Sequence, residues 1–184
     1  MRVIAGRFGG RRLKRPVRLD LRPTSDRVRE SLFNILGPRV AGATVLDLFA
    51  GTGGLGIEAL SRGASRAIFV ERDRRAGDLI RRNLAMLGLG SGEAEVRGEP
   101  VADALAALAA CGCRFDLVLA DPPYGAGAAR DTLASLARGG LVSPGGLAVL
   151  EHAAKESIPA PDGMILVDRR GYGDTALSFF KPAP

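Results

Sequence analysis

The sequence predicts one α/β domain built on a doubly wound, mostly parallel sheet, and three observations predict it. Near-continuous apolar runs at 44–49, 67–71, 115–120 and 146–151 read as strands buried on both faces. Helical spacing separates them, with Ala76, Leu79, Ile80, Leu84 and Leu87 recurring on one side and an Ala/Leu-rich stretch at 101–110. The rhythm breaks at the tail, where strand-like runs at 164–170 and 175–181 flank Gly171-Tyr172-Gly173-Asp174, a hairpin signal. Alternating strands and helices imply parallel strands with right-handed crossovers, and the tail adds an antiparallel pair. A chain of 184 residues suits one domain with a sizeable core.

Ahead of this core, residues 2–5 and 11–14 flank Gly6, Gly9 and Gly10 and are expected to form a small β-hairpin. A helix follows. Thr24 or Ser25 can cap it, with Val28, Leu32, Ile35 and Leu36 toward the sheet and Arg27, Ser31 and Asn34 opposite, so that arginine points outward. The expected organisation is a basic RNA-binding appendage at 1–39 and a catalytic domain at 40–184. Of the net charge of +6, the first 39 residues hold eleven Lys or Arg against three acids, a balance of +8, and the remainder sums to −2. Positive charge gathered on one side of a near-neutral core suits a polyphosphate partner, because association releases condensed counterions. A solvated arginine-rich tail is the plainer alternative.

Hydrophobic residues make up 46% and charged ones 25%, the mix of an ordinary globular protein, and no apolar run approaches the ~20 residues of a membrane span. The opening Met1-Arg2-Val3-Ile4 has no secretory pattern, so a cytoplasmic location is expected. Cys111, Cys113 and His152 are too few and too scattered for a metal site; two reduced thiols and a structural histidine are expected, and no metal.

Asp47-Leu48-Phe49-Ala50-Gly51-Thr52-Gly53-Gly54-Leu55-Gly56 follows the first strand and opens a helix near Leu55. Glycines there let backbone approach a ligand, and helix N-terminal amides point at it. Gly51, Gly53 and Gly56 fit the dinucleotide spacing, and Glu71 ends the next strand where an acid can hold ribose hydroxyls. An adenosine-bearing cofactor is implied, either NAD or S-adenosylmethionine. Asp47 favours the second, since a negative charge before the glycines repels a pyrophosphate and suits an ammonium and a sulfonium. This Asp-x-Phe-x-Gly-x-Gly arrangement resembles the first motif of class I methyltransferases; an Asp that merely caps the loop's own amides is the alternative.

Asp121-Pro122-Pro123-Tyr124 ends the run at 115–120, which in a doubly wound sheet lies beside the first strand at the switch point where ligands bind. An exocyclic amine is a poor nucleophile because its lone pair is delocalised into the ring. If Asp121 and the Pro122 carbonyl accept its two N–H groups, the nitrogen becomes more tetrahedral and aims its lone pair at a methyl donor. Tyr124 would stack on the base. The tetrapeptide resembles the motif of amino-methyltransferases acting on adenine, cytosine, guanine or a glutamine amide, and does not choose among them.

A closer resemblance lies in Arg22-Pro23-Thr24-Ser25-Asp26-Arg27-Val28-Arg29-Glu30-Ser31-Leu32-Phe33, read with Arg2-Val3-Ile4-Ala5-Gly6, Gly10-Arg11-Arg12-Leu13 and Arg170-Gly171-Tyr172-Gly173-Asp174. Together these resemble the RsmD family, which methylates N2 of one guanine in 16S ribosomal RNA. That resemblance implies a Rossmann-like class I sheet and S-adenosylmethionine held by Asp47, Phe49, Ala50, Gly51, Thr52, Gly53, Glu71, Arg72, Glu99, Pro100 and Asp121. It implies catalysis by Asp121, Pro122, Pro123 and Tyr124. Pro100 departs from the small residue more common after the adenine-side acid. By the same resemblance Arg22, Thr24 and Arg27 lie at the substrate side, Arg7, Arg11, Arg12 and Lys14 lie on the RNA backbone, and the partner is 16S rRNA in an assembling 30S subunit, met by a monomer. A DNA amine methyltransferase, a nicotinamide-dependent oxidoreductase and a non-catalytic RNA-binding factor remain the competing readings.

Overall fold

The computed structural model describes residues 1–14, 26–123, 125 and 127–184. Five parallel strands, β1 (Thr44–Leu48), β2 (Arg66–Val70), β3 (Ala94–Arg97), β4 (Phe115–Ala120) and β5 (Val142–Ala153), join an antiparallel pair, β6 (Met164–Tyr172) and β7 (Thr175–Pro182). Their order is β3-β2-β1-β4-β5-β7-β6, so the chain reverses direction across the sheet between β1 and β4. The carboxyl ends of those two strands therefore open on one crevice. β5 is longer than its apolar run because its first residues pair with β4 through an irregularity between Phe115 and Leu117.

Alternation along the strands divides the core in two. Val45, Phe69, Leu117, Val149 and Phe179 pack beneath α1 (Asp26–Leu36), α2 (Gly54–Ser61) and α3 (Arg74–Met86). Leu46, Ile68, Val118, Leu150 and Phe180 pack beneath α4 (Val101–Ala110) and α5 (Ala128–Arg138) on the other face. None of the described helices is long and apolar enough to cross a membrane. His152 is buried, with Nε2 2.8 Å from Ser178 Oγ, and burial holds its pKa below the usual histidine value.

The amino-terminal hairpin is narrower than expected. A single antiparallel bridge joins Arg2 to Arg12, supported by Val3 N donating to Arg11 O (3.0 Å) and Gly10 N to Val3 O (2.9 Å). Val3, Phe8 and Leu13 enter the same core as α2. Gly6 is obligatory at the crossing, since its φ is +81° and a Cβ would lie 1.9 Å from Ser61 O.

In α1 the buried stripe is Val28, Arg29, Leu32, Phe33 and Leu36, whereas Ile35 is 41% exposed. The expected caps, Thr24 and Ser25, lie outside the described residues. Arg27 is exposed as expected, whereas Arg29 points inward, where three oxygens are waiting. Its Nη2 donates to Arg2 O (2.6 Å) and Asp26 Oδ1 (3.1 Å), and its Nε stands 3.9 Å from Glu58 Oε2. Glu58 is itself buried and accepts from Ile4 N (2.8 Å), Ala5 N (3.1 Å) and Arg62 Nε (2.8 Å). Burial lowers the Arg29 pKa, and the charges of Asp26 and Glu58 oppose that shift. One ionic cluster therefore ties the amino terminus and α1 to the helix that follows the glycine loop.

Candidate active site

The loop between β1 and α2 is wound tightly. Phe49 is the one non-glycine residue at positive φ (57°) among the described residues, and Gly51 (55°) and Gly53 (78°) alternate with it. Such a run costs little only where glycine supplies the left-handed steps, so Phe49 holds a strained conformation at the lip of the crevice. Ala50 and Thr52 complete the turn, with Ala50 N donating to Val70 O (3.1 Å) and Gly53 N to Ala50 O (2.7 Å). Gly56 packs flat against β2: an added Cβ would sit 2.3 Å from the Phe69 ring and 3.0 Å from Asp47 Oδ2.

Two of the loop's amides do not point at open space as the glycine pattern suggested. Gly56 N donates to Asp47 Oδ2 (2.8 Å), and Gly51 N donates to Glu71 Oε2 (2.8 Å). Glu71 Oε1 also accepts from Asp73 N (2.8 Å), and Asp73 caps α3 through Arg75 N and Ala76 N. Both acids are thus part of the loop's own scaffold. The side chains of Asp47 and Glu71 occupy two of the amides that would cradle a pyrophosphate, which disfavours a phosphate group at this loop. The Glu71 oxygens retain lone pairs able to accept ribose hydroxyls.

Asp47 is 1% exposed, and burial pushes its pKa up to about 8. The Gly56 amide opposes that shift, while the charges of Asp121 and Glu71 add to it. An ordinary Asp ionises near 3.8, so between that value and about 8 the folded chain binds a proton that the unfolded chain has lost. Stability contributed by this group is therefore expected to fall as pH rises through that window, and Asp47→Asn is expected to remove the slope. Urea unfolding of both proteins from pH 5 to 9 checks it; parallel curves contradict it.

Asp121 N donates to Leu48 O (3.4 Å), which sets the Asp-Pro-Pro turn directly beside the glycine loop. Pro122 is buried and Pro123 exposed; Tyr124 lies outside the described residues. Arg72 is exposed after β2. Glu99, past the end of β3, accepts from Arg97 Nε (2.6 Å), and Pro100 leads into α4. Asp47, Glu71, Glu99 and Asp121 therefore line the carboxyl edge of four neighbouring strands, in the order Glu99, Glu71, Asp47, Asp121.

Sequence reasoning assigns no site role to Glu151, Ser31 or Tyr172. Glu151, only 8% exposed, follows Leu150 as Asp121 follows Ala120 in the paired strands β5 and β4. Its signal was an acid closing an apolar run. Tyr172 Oη and Ser31 Oγ lie 2.5 Å apart, joining the carboxy-terminal hairpin to α1; no local pattern links residues 141 apart. Arg27 is exposed at the start of that helix, and Arg22 and Thr24 lie outside the described residues. Arg7 and Arg11 are placed at the far end of α2 and α3 from the glycine loop. Arg7 Nη2 binds Glu93 Oε1 (2.5 Å) while Arg7 N donates to Ser61 O (2.8 Å), and Arg11 Nη2 binds Met86 O (3.1 Å). Arg12 and Lys14 are exposed.

A seven-stranded sheet of this order, with an acid-braced glycine loop facing Asp-Pro-Pro, defines a class I methyltransferase dependent on S-adenosylmethionine. The family described as conserved hypothetical protein 95 matches residues 1–181. Ribosomal RNA small subunit methyltransferase D of Escherichia coli K12 is 39% identical over 159 residues, 86% of this chain and 78% of its own length. The protein of that name from Haemophilus influenzae is 35% identical over 181 residues, 98% of this chain and 93% of its own. The solved structure of yhhF from Escherichia coli superposes with a TM-score of 0.88 at 36% identity, covering 99% of this chain and 97% of that one. The chain belongs to the RsmD family of methyltransferases.

Proposed function

We propose that this chain methylates small-subunit ribosomal RNA, transferring the methyl group to the exocyclic N2 amine of one guanine, position 966 of the 16S molecule. The observation that carries the reading is the hydrogen bond from Asp121 N to Leu48 O, which sets Asp121 beside the acid-braced loop after β1. It stands beside the kinship with proteins named for small-subunit rRNA methylation. When bound, S-adenosylmethionine supplies an electrophilic methyl on a sulfonium. Asp47, Phe49, Ala50, Gly51, Thr52 and Gly53 would hold its methionine end, with Glu71, Arg72, Glu99 and Pro100 around the adenosine.

Asp121 and the Pro122 carbonyl then accept the two N–H groups of the amine. Proline at 122 and 123 removes two backbone donors from the turn. Holding the nitrogen in line with the methyl supplies the orientation that a delocalised amine lacks in solution. Tyr124 stacks on the base, which must be flipped out or in a loop to enter. Arg12, Lys14 and Arg27, with Arg22 and Thr24, face the RNA; Arg7 and Arg11 would first exchange Glu93 and the Met86 carbonyl for phosphate. The substrate is the assembling 30S particle, met by a monomer in the cytoplasm.

Tritiated-methyl transfer to 30S subunits, naked 16S rRNA and duplex DNA tests this reading. Incorporation into rRNA, greatest in the 30S particle, is the expected result. Transfer confined to DNA, or none to any of the three, overturns it.

A further inference from the structure

The excess charge of the first 39 residues is joined in the fold by a second basic element. Lys14 N donates to Asn83 Oδ1 (2.9 Å), Asn83 Nδ2 donates to Lys14 O (3.3 Å), and Arg11 Nη2 donates to Met86 O. These bonds fasten the basic hairpin along the second half of α3. Within that helix Arg74, Arg75, Arg81 and Arg82 oppose only Asp78, a balance of +3. On the opposite face, α4 and α5 together carry Asp103, Asp131, Arg130 and Arg138 and sum to zero. The chain-wide total hid this asymmetry, because acids elsewhere cancel the α3 charge.

The arginines of α3 are not equivalent. Arg81 is engaged by Asp78 Oδ1 (3.0 Å) and Val96 O (3.2 Å). Arg74, Arg75 and Arg82 are exposed, and among the described residues no carboxylate pairs with their guanidinium groups. Arg75 and Arg82 are seven residues apart, hence on one side of the helix and about 10 Å apart along it. α3 starts beside the Glu71 corner of the cofactor loop and ends against the turn of the basic hairpin, a ridge of roughly 20 Å.

We infer that the exposed ridge of α3, through Arg75 and Arg82 together with Arg12 and Lys14, is a second contact surface for the ribose-phosphate backbone of the acceptor RNA. It runs from the lip of the crevice to the foot of the domain. Unpaired guanidinium forks match phosphate oxygens two at a time. The large apolar side chains that a lipid surface would require are missing from the length of this ridge, since Met86 at its far end is the single exposed one. This inference rests on the reading of the chain as an rRNA methyltransferase.

The test uses the full chain and naked 16S rRNA, measuring affinity across a salt series together with methyl transfer. Arg75→Gln with Arg82→Gln is expected to weaken binding by about tenfold at low salt. It is also expected to flatten the slope of log K against log salt by roughly 1.4–1.8, the loss of two phosphate contacts. Affinity for S-adenosylmethionine should stay unchanged. Arg130→Gln with Arg138→Gln on α5 is the control, expected to match the wild type in both quantities. An unaltered slope in the α3 variant, with methyl transfer by the wild type intact, overturns the surface alone. Absence of methyl transfer by the wild type to 30S subunits and naked rRNA alike overturns the underlying reading and this inference with it.

Discussion

Asp121→Ala is expected to lower kcat by at least about 10³-fold while leaving affinity for S-adenosylmethionine largely intact. Removing one well-placed polar group from a preorganised site costs about 10²–10³ in rate, and here the loss is compounded because the same group orients the nucleophile. On the proposed mechanism the Pro122 carbonyl alone would hold one N–H and would not fix the pyramid of the nitrogen. Cofactor binding should survive, since the loop is braced by Asp47 on Gly56 and Glu71 on Gly51, neither of which depends on Asp121. Asp121→Asn keeps one acceptor oxygen in place and is expected to fall between the wild type and the alanine variant. Single-turnover methyl transfer at saturating RNA, with cofactor affinity by calorimetry, separates the two effects. A parallel loss of affinity and rate would instead make Asp121 a part of the loop's scaffold.

The largest stability effect is expected at a residue remote from the chemistry. Glu58→Ala leaves the buried Arg29 without its main buried counter-charge, and strips acceptors from Ile4 N, Ala5 N and Arg62 Nε. Breaking a buried pair from one side costs about 3–5 kcal/mol, most of it the penalty on the stranded charge. Replacing both residues, Glu58→Gln with Arg29→Met, is expected to cost less than Glu58→Ala, because no uncompensated cation remains. Urea denaturation with unchanged m-values measures both. Equal destabilisation by the two would show that Arg29 carries none of the penalty.

The parts of this molecule that were legible in its sequence are those whose signal is local. β1, β2 and β4 are buried on both faces, so their apolar runs are nearly unbroken and their ends fall within a residue of the expected ones. Gly173-Asp174 closes the β6–β7 hairpin where the turn residues placed it, with Gly173 at φ 63°. The crevice followed from topology, since strand order at the switch point brings Asp121 to Leu48 whatever the side chains between them.

What escaped is tertiary in origin. Helical periodicity does not mark Arg29 as a core residue, yet an acid 29 residues later and a carbonyl from the amino terminus make the inside its better environment. The same blindness put Ile35 in the core and left Phe33 out of it. A glycine pattern announces free amides, but only the folded loop shows Asp47 and Glu71 occupying two of those that a pyrophosphate would use. The choice of guanine N2 as acceptor comes from family resemblance and not from any side chain described in the crevice.

The most direct measurement is the identity of the modified nucleoside. 30S subunits lacking the modification, incubated with the purified chain and S-adenosylmethionine and then digested for mass spectrometry, should yield N2-methylguanosine at one position with wild type and none with Asp121→Ala. Methyladenosine or methylcytidine as the product, or undiminished N2-methylguanosine from the Asp121 variant, would contradict the account.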